Sequence, residues 1–497
     1  MKIQQFLDHH GIAANPFADE DAQTDLVFKG VCIRNTFHPT WDKIYGDPSE
    51  PATAVVFGEK GSGKTALRLQ LARHLTDYNA EHPEHQVFVV QYDDFNAFLD
   101  RFRDRFSGRR RRADRALEQW RLWDHIDAIL SLGVTQLVDR ILEVKQARHP
   151  AARDEAPPTH LLDAAQIRDV MLLAACYDQS TAENLLQRWR RLRKKMRFPT
   201  WRSKWDLAVG VLATVAVVGF FAWFDWSWLG HWLPYVLIAL IAAGWAPRGW
   251  RLLRWWCKAW KIARHTRVLN HNTKLLCRVL LNFPGSQIVG QPLPAWQRTD
   301  DRYELLAKLQ GVLRSIHLDG ILVLVDRVDE PYLINGSTDL MRALVWPMLD
   351  NKFLKHPGLG LKLLLPIELE RLVDRENRDF HQRARLDKQN LIRSLSWTGQ
   401  SLYDMANARI AACAAEGSSP TITDLFEDVD QRRLMDALAT LRVPRHLFKF
   451  MYRLFTTHCN AHTEDQPVWK ISHATFESVL ALYQRDQDAF DRGVGAG

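Results

Sequence analysis

Cysteine is scarce in this chain. Its 497 residues hold six, Cys32, Cys176, Cys257, Cys277, Cys413 and Cys459, and no two form a CxxC pair. That scatter excludes a zinc knuckle and a disulfide framework, and fits reduced thiols facing the cytosol. An apolar leader is missing too. MKIQQFLDHHGIAANPF has no signal-peptide core, so no signal peptide is expected. Acidic residues are nearly absent from one long window. Between Arg188 and Arg267, sixteen Lys and Arg stand against only Asp206 and Asp225, a net of +14 in a chain whose total is +8. The rest is therefore net acidic, which argues against a spread nucleic-acid footprint and toward a local cause for the basic excess.

What is present supplies that cause. The window is built around WDLAVGVLATVAVVGFFAWFDWSWLGHWLPYVLIALIAAGW, Trp205 to Trp245. Leu207–Phe224 carries no charge over 18 residues, a helix of roughly 27 Å against a hydrocarbon layer of about 30 Å. Asp225 breaks the run, and a second apolar run follows over 229–246, with His231 and Pro234 near its start. The pattern predicts a hairpin of two transmembrane helices at about 207–246. Its flanks, RWRRLRKKMRFPTWRSK and PRGWRLLRWWCKAWKIAR, are both basic, so both ends should face the cytoplasm. Twelve of the 19 Trp lie between Trp189 and Trp260, and Trp226, Trp228 and Trp232 would mark the outer interface. The expected location is the inner (cytoplasmic) membrane, multi-pass, with the remainder cytoplasmic. A buried helical hairpin in a large soluble core is the alternative.

The hairpin interrupts something else. AVVFGEKGSGKTALRLQLARHL holds GxxxxGK[ST] between an apolar run and a helical pattern, the strand–loop–helix setting of a phosphate cradle. Gly58, Glu59, Lys60, Gly61, Ser62, Gly63, Lys64, Thr65 and Ala66 are the candidate nucleotide-binding residues. Glycines let backbone N–H groups wrap phosphates at the positive end of a helix. Lys64 should reach the β and γ phosphates, and the Thr65 hydroxyl should ligate Mg²⁺. A second strand is predicted over Gln86–Tyr92. Far downstream, ILVLV runs into Asp326, placed to hold Mg²⁺ directly or through water, with Asp329 and Glu330 close behind. Glu330 is the candidate to polarise an attacking water, with Asp329 next. A third strand, Gly360–Leu365, offers only Glu368 as a polar sensor at its end. Arg371, Arg375, Arg378, Arg383 and Arg385 are arginine-finger candidates toward a neighbouring subunit, or a solvated helix face. LRVPRHLFKFMYRLF puts Arg445 at the mouth of an amphipathic helix, as a nucleotide-sensing arginine or as ordinary helix-start chemistry. RFSGRRRRADR, Arg105 to Arg115, reads as a nucleic-acid contact or a solvated face.

GEKGSGKT together with LVDRVDE resembles the additional-strand class of P-loop ATPases. LVDRVDE is similar to the acidic motif of the STAND group of signalling NTPases, which includes NACHT proteins. A transmembrane hairpin between the two motifs resembles the KAP group, although this chain lacks that group's DDxDR-like acidic motif. VPR at 443–445 resembles the second sensor of the class. The resemblance implies ATP and Mg²⁺ as cofactors and a switch-like or oligomer-forming ATPase, with bacterial members often acting in defence against phage or plasmids.

The expected fold is therefore α/β: a P-loop NTPase with a mainly parallel sheet, a long helical insertion bearing two transmembrane helices, and a C-terminal helical lid. The expected units are 1–100 and 299–400 for the two halves of the core, 101–298 for the insertion and 401–497 for the lid. Helices over 182–197 and 251–281 should join bilayer to sheet. The function expected is a membrane-anchored, cytoplasm-facing ATPase switch, in defence or stress signalling, with an unidentified protein partner or a homo-oligomer. The alternatives are a membrane-tethered scaffold, holding DNA or lipid with a structural nucleotide, and an oligomeric pore.

Overall fold

The structure is a computed structural model that describes residues 1–144, 157–181, 183–223 and 233–491. Its centre is a five-stranded parallel sheet. The strands are β1 (Ala54–Gly58), β2 (Gln86–Tyr92), β3 (Leu318–Val325), β4 (Leu359–Pro366) and β5 (Asn390–Ile392). Their order across the sheet is β2-β3-β4-β1-β5. β1 is buried throughout, as is β4, which is why both read as near-continuous apolar runs. β5 was not anticipated. It is three residues long and pairs only with β1, from Ala54↔Asn390 to Val56↔Ile392.

The long insertion leaves from β2 and returns into its neighbour. β2 and β3 pair from Gln86↔Leu318 to Tyr92↔Val325, so everything over 93–317 is one crossover. A crossover of that length is tolerable because loop-closure entropy grows only with the logarithm of length. The insertion packs against the sheet. Its helix Leu122–Leu142 and the following helix Thr299–Arg314 cover one face of the sheet, where Ile129, Leu130 and Leu309 join Phe88, Val90 and Val323 in one core. The helix after β1, Lys64–Glu81, covers the other face through Leu67, Leu71 and Leu75.

The helix Ile3–His9 packs on the C-terminal helices rather than on the sheet. Phe6, Leu7 and Phe17 pack with Leu402, Leu447 and Phe455, and the N-terminal ammonium donates to Cys459 O at 3.2 Å.

Among the described residues one helix is long and apolar enough to cross a membrane, Tyr235–His265, where two were expected. The second apolar run does not stop at Ala246. Its helix, Leu233–His265, continues through Pro247 into the basic stretch, about 50 Å in all. The partner helix spans Trp205–Trp223, but its described apolar part, Trp205–Phe220, is about 24 Å, short of the hydrocarbon layer. The expected tip, with Trp226, Trp228, His231 and Trp232, lies outside the described residues. The two helices pack closely. A Cβ on Gly210 would sit 2.9 Å from the Trp245 ring, and Trp245 Nε1 donates to Thr214 Oγ1 at 3.0 Å. At their base the buried Asp206 accepts from Arg248 (3.3 Å) and Arg251 (3.0 Å). The expected helix over 251–281 is two pieces, ending at His265 and resuming over Thr273–Leu280.

Candidate functional site

The glycine-rich loop leaves the end of β1 and turns into the helix Lys64–Glu81. Gly61 and Gly63 both have positive φ, +90° and +96°, a conformation that side chains with Cβ rarely adopt. Gly61 is under a second constraint. A Cβ there would lie 2.7 Å from Cβ of Arg445. The C-terminal helix Pro444–Ala461 thus places its first turn directly on the loop, and Arg445 N donates to Gly61 O at 3.4 Å. Trp397 Nε1 donates to Ser62 O at 2.9 Å, fixing the loop from another side.

β3 brings the acidic motif to the same place. Thr65 Oγ1 donates to Asp326 Oδ2 at 3.0 Å. Two residues 261 positions apart in the chain are therefore in contact. Lys64 folds back to donate to Gly58 O at 2.8 Å and Glu59 O at 2.9 Å. Burial pushes its ammonium down, against the pull of Asp326, Asp329 and Glu368. Burial pushes the Asp326 carboxyl up, against Arg68 and the Thr65 hydrogen bond.

After Asp326 the chain turns sharply, with Arg327 at φ +61° and Val328 buried beneath. Glu330 closes this turn, its N–H donating to Arg327 O at 3.3 Å, and its carboxylate lies 3.5 Å from Arg327 Nε. It is exposed, 56% of the side chain, and burial of the remainder pushes its carboxyl up, opposed by Arg327. A raised carboxylate is the better proton acceptor near neutrality.

These groups line one cleft of about 450 Å³, within the usual range for a small-molecule site. Lys60, Gly61, Gly63, Lys64, Thr65 and Ala66 line it, as do Asp326, Asp329, Glu330 and Arg445. Glu368 lines it too, at the start of the helix that follows β4. The five arginine-finger candidates do not; all are exposed on or beside the helices over 367–384.

Two features escaped the sequence reading. Arg68 lies one turn beyond Lys64 and is 3% exposed. It pairs with Asp326 at 3.3 Å and with Asp93 at 2.8 Å, and donates to Gln91 Oε1 at 3.1 Å. Lys64 and Arg68 share a helix face by their i,i+4 spacing, a signal that exists in the sequence but names no partner. The second feature is the N-terminal segment. His38 and Asp25 line the cleft beside Trp397, Met405, Arg409 and Phe448. Arg409 fastens that wall, pairing with Asp25 at 2.7 Å and lying 4.4 Å from the Phe448 ring centre.

The site's chemistry fits a phosphate chain with a hard divalent cation. Ser62 Oγ is buried without a partner, so the loop keeps hydrogen-bonding capacity in reserve. No group of three His, Cys, Asp or Glu able to hold a metal exists among the described residues. A phosphate-bound Mg²⁺ needs only one or two protein oxygens, and Thr65 and Asp326 offer that pair. Comparison with protein families, with curated proteins and with solved structures gives no match to this chain, so the site's geometry alone bears on function.

Proposed function

We propose that the chain is a membrane-anchored P-loop ATPase that binds and hydrolyses ATP and works as a cytoplasm-facing regulatory switch. The observation that carries this reading is the Thr65–Asp326 contact at 3.0 Å, which joins the glycine-rich loop to the acidic strand in one cleft. The sheet order adds support: β4 lies between β1 and β3, an extra strand between loop strand and acidic strand, as the name of the additional-strand class describes.

In this reading Lys64 exchanges its loop carbonyls for phosphate oxygens. Thr65 and Asp326 hold Mg²⁺, which supplies neutralisation of phosphate charge. Glu330, with Asp329 beside it, accepts a proton from the attacking water. Arg445 links the nucleotide's presence to the lid, and the aromatic wall of His38, Trp397 and Phe448 faces the base. The membrane part rests on the exposed apolar surface of the hairpin, where Leu212, Val215 and Ile238 are each more than half exposed; soluble monomers rarely present so continuous a patch. A role in defence or stress signalling fits such a switch by analogy of architecture alone.

The test is a pair of variants in detergent. Lys64→Ala should lower ATP affinity by about 100-fold, and Glu330→Gln should keep binding while hydrolysis falls at least about 100-fold. Normal ATP binding by Lys64→Ala would sink the site assignment. The Arg68–Asp326 pair favours a second reading, a tethered scaffold with a structural nucleotide, because it already neutralises the metal-binding carboxylate. Equal and negligible turnover in wild type and Glu330→Gln, with binding intact, would select it.

A further inference from the structure

The long helix Leu233–His265 and the loop before Thr299 meet in a second cleft of about 520 Å³, which shares no residue with the first. The helix turns Trp255, Ala259, Ile262 and Ala263 inward, so Trp260, Lys261 and Arg264 fall on its outward stripe. From the loop come Trp296 and Arg298. Lys261 Nζ lies 4.6 Å from the Trp296 ring centre, Arg264 Cζ 5.1 Å from that of Trp260, and Arg298 Cζ 5.9 Å from Trp296. No carboxylate lines the cleft. The two indoles remain 43% and 50% exposed, with Lys261 and Arg298 against one ring and Arg264 against the other, so a stacking ligand shares or displaces those cations.

The two halves are fastened from below. Arg302, wholly buried, donates to Trp296 O and, at 3.3 Å, to His265 O, while its other edge grips Asp127. One buried side chain thus sets the loop against the helix end, which makes the cleft a built feature rather than a chance hollow.

Three cations beside two part-exposed indoles, with no acid among the described lining residues, call for a ligand that is flat and anionic. A nucleobase stacks on indole, and phosphates satisfy the cations. A lipid headgroup meets the charge requirement but not the reach. Were 235–246 in the hydrocarbon, Arg248 and Arg251 would mark the headgroups. Lys261 is ten residues beyond Arg251, about 15 Å along the helix, against a headgroup layer of roughly 5–8 Å.

We propose that this cleft is a second ligand site, for a small phosphorylated nucleobase compound of one or two nucleotides, separate from the glycine-rich loop. Its position gives it leverage. Trp296 and Arg298 lead straight into the helix Thr299–Arg314, and that helix into β3 and Asp326. Ligand that orders the loop therefore acts on the strand that carries the acidic motif. The site stands independently of the ATPase reading, since no residue is shared.

The experiment uses the full chain in detergent and a fluorescent 5′-phosphorylated di-adenylate, read by polarisation. Lys64→Ala should bind the probe as wild type does, which separates this site from the first. Trp260→Ala and Trp296→Ala should each weaken binding by roughly 5-fold or more, Trp296→Phe should weaken it less, and Arg264→Glu should flatten its salt dependence. Trp260, Trp296 and Arg264 are all exposed, and unchanged unfolding midpoints would show that folding is intact. Binding lost in Lys64→Ala, or unchanged in both tryptophan variants, would overturn the proposal. Affinity climbing steadily with oligonucleotide length to ten nucleotides would overturn it in favour of a nucleic-acid track. Flotation with phosphatidylglycerol vesicles lost in Arg264→Glu, with di-adenylate binding unchanged, would overturn it in favour of lipid.

Discussion

Arg302 and Arg68 are both buried arginines paired with a buried aspartate, yet their surroundings differ. Arg302 grips Asp127 through Nε and Nη2, at 3.1 and 3.2 Å, and donates two further N–H groups to backbone carbonyls. Asp127 also accepts from Tyr177 Oη at 2.8 Å. Every partner there is protein, and neither charge reaches a cleft. Arg68 also has three polar partners, but one of them, Asp326, lines the cleft at the glycine-rich loop and is shared with Thr65. The first network is closed and can only hold. The second has one member that a ligand can take over. A buried ion pair says little about function by itself; an exchangeable partner on a cleft wall says more.

The largest effect should come from opening the closed network. Arg302→Ala leaves Asp127 buried and uncompensated, at about 3–5 kcal/mol of stability, measured as a fall in the unfolding midpoint with and without nucleotide. A variant as stable as wild type would mean that Asp127 is neutral in the folded chain, and the contrast with Arg68 would fail. Burial does push the Asp127 carboxyl up, against Arg302 and Tyr177, so Asp127→Asn should be milder than Arg302→Ala.

Much of the contrast was open to sequence reading on one side only. GEKGSGKT reads as a glycine-rich loop between strand and helix because its spacing is local, and ILVLVD reads as a buried strand ending in a carboxylate for the same reason. Lys64, Thr65, Asp326, Glu330 and Arg445 do meet in one cleft. Arg68 was not legible, because its partners Asp93 and Asp326 reach it only once β2 and β3 stand side by side. His38 and Asp25 were missed for the same reason: the N-terminal segment reaches the cleft by packing against the lid. β5 was too short for its pattern to register. The helix past Pro247 was misjudged because a proline in an apolar run reads as an end, whereas here the chain continues helical to His265.

Lys362 sharpens the comparison from a third direction. It is a buried cation in the middle of β4 with only carbonyl partners, Tyr45 O at 3.1 Å and Ala52 O at 2.8 Å. Burial pushes its ammonium down to about 8. Between that value and the ordinary lysine value of about 10.4, the unfolded chain binds more protons than the folded one. Stability from this group therefore rises as pH rises from about 8 toward 10.4, by at most about 3 kcal/mol. Unfolding midpoints across that range should show the rise in wild type and lose it in Lys362→Met. A rise that persists in the variant would assign it to another group. Without a carboxylate, burial alone governs the charge; at Arg302 the Asp127 carboxylate outweighs burial and pushes the guanidinium up.

The smallest effect expected is also the most telling about the cleft. Arg68→Gln keeps an amide near Gln91 and Asp93 but removes the positive charge beside Asp326. Two outcomes are physically distinct. If Arg68 chiefly neutralises Asp326, its removal strengthens the carboxylate's attraction for a divalent cation, and the Mg²⁺ needed for half-maximal stabilisation by nucleotide should fall about tenfold, a change of about 1.4 kcal/mol. If Arg68 chiefly positions Asp326, the carboxylate swings away from Thr65 and the Mg²⁺ requirement rises. The distances favour neutralisation. Thr65 Oγ1, at 3.0 Å from Asp326 Oδ2, holds that oxygen more closely than Arg68 Nε does at 3.3 Å, and the stronger contact of Arg68, 2.8 Å, is to Asp93. Asp93 directly follows β2, where the crossover departs. A cation that leaves Asp326 when Mg²⁺ arrives still has Asp93 to hold, so metal binding and the root of the long insertion would be coupled through one guanidinium. Titrating Mg²⁺ against the unfolding midpoint of Arg68→Gln, with ATP and Glu330→Gln to prevent turnover, decides between the two, and a rise in the requirement would remove Arg68 from that coupling.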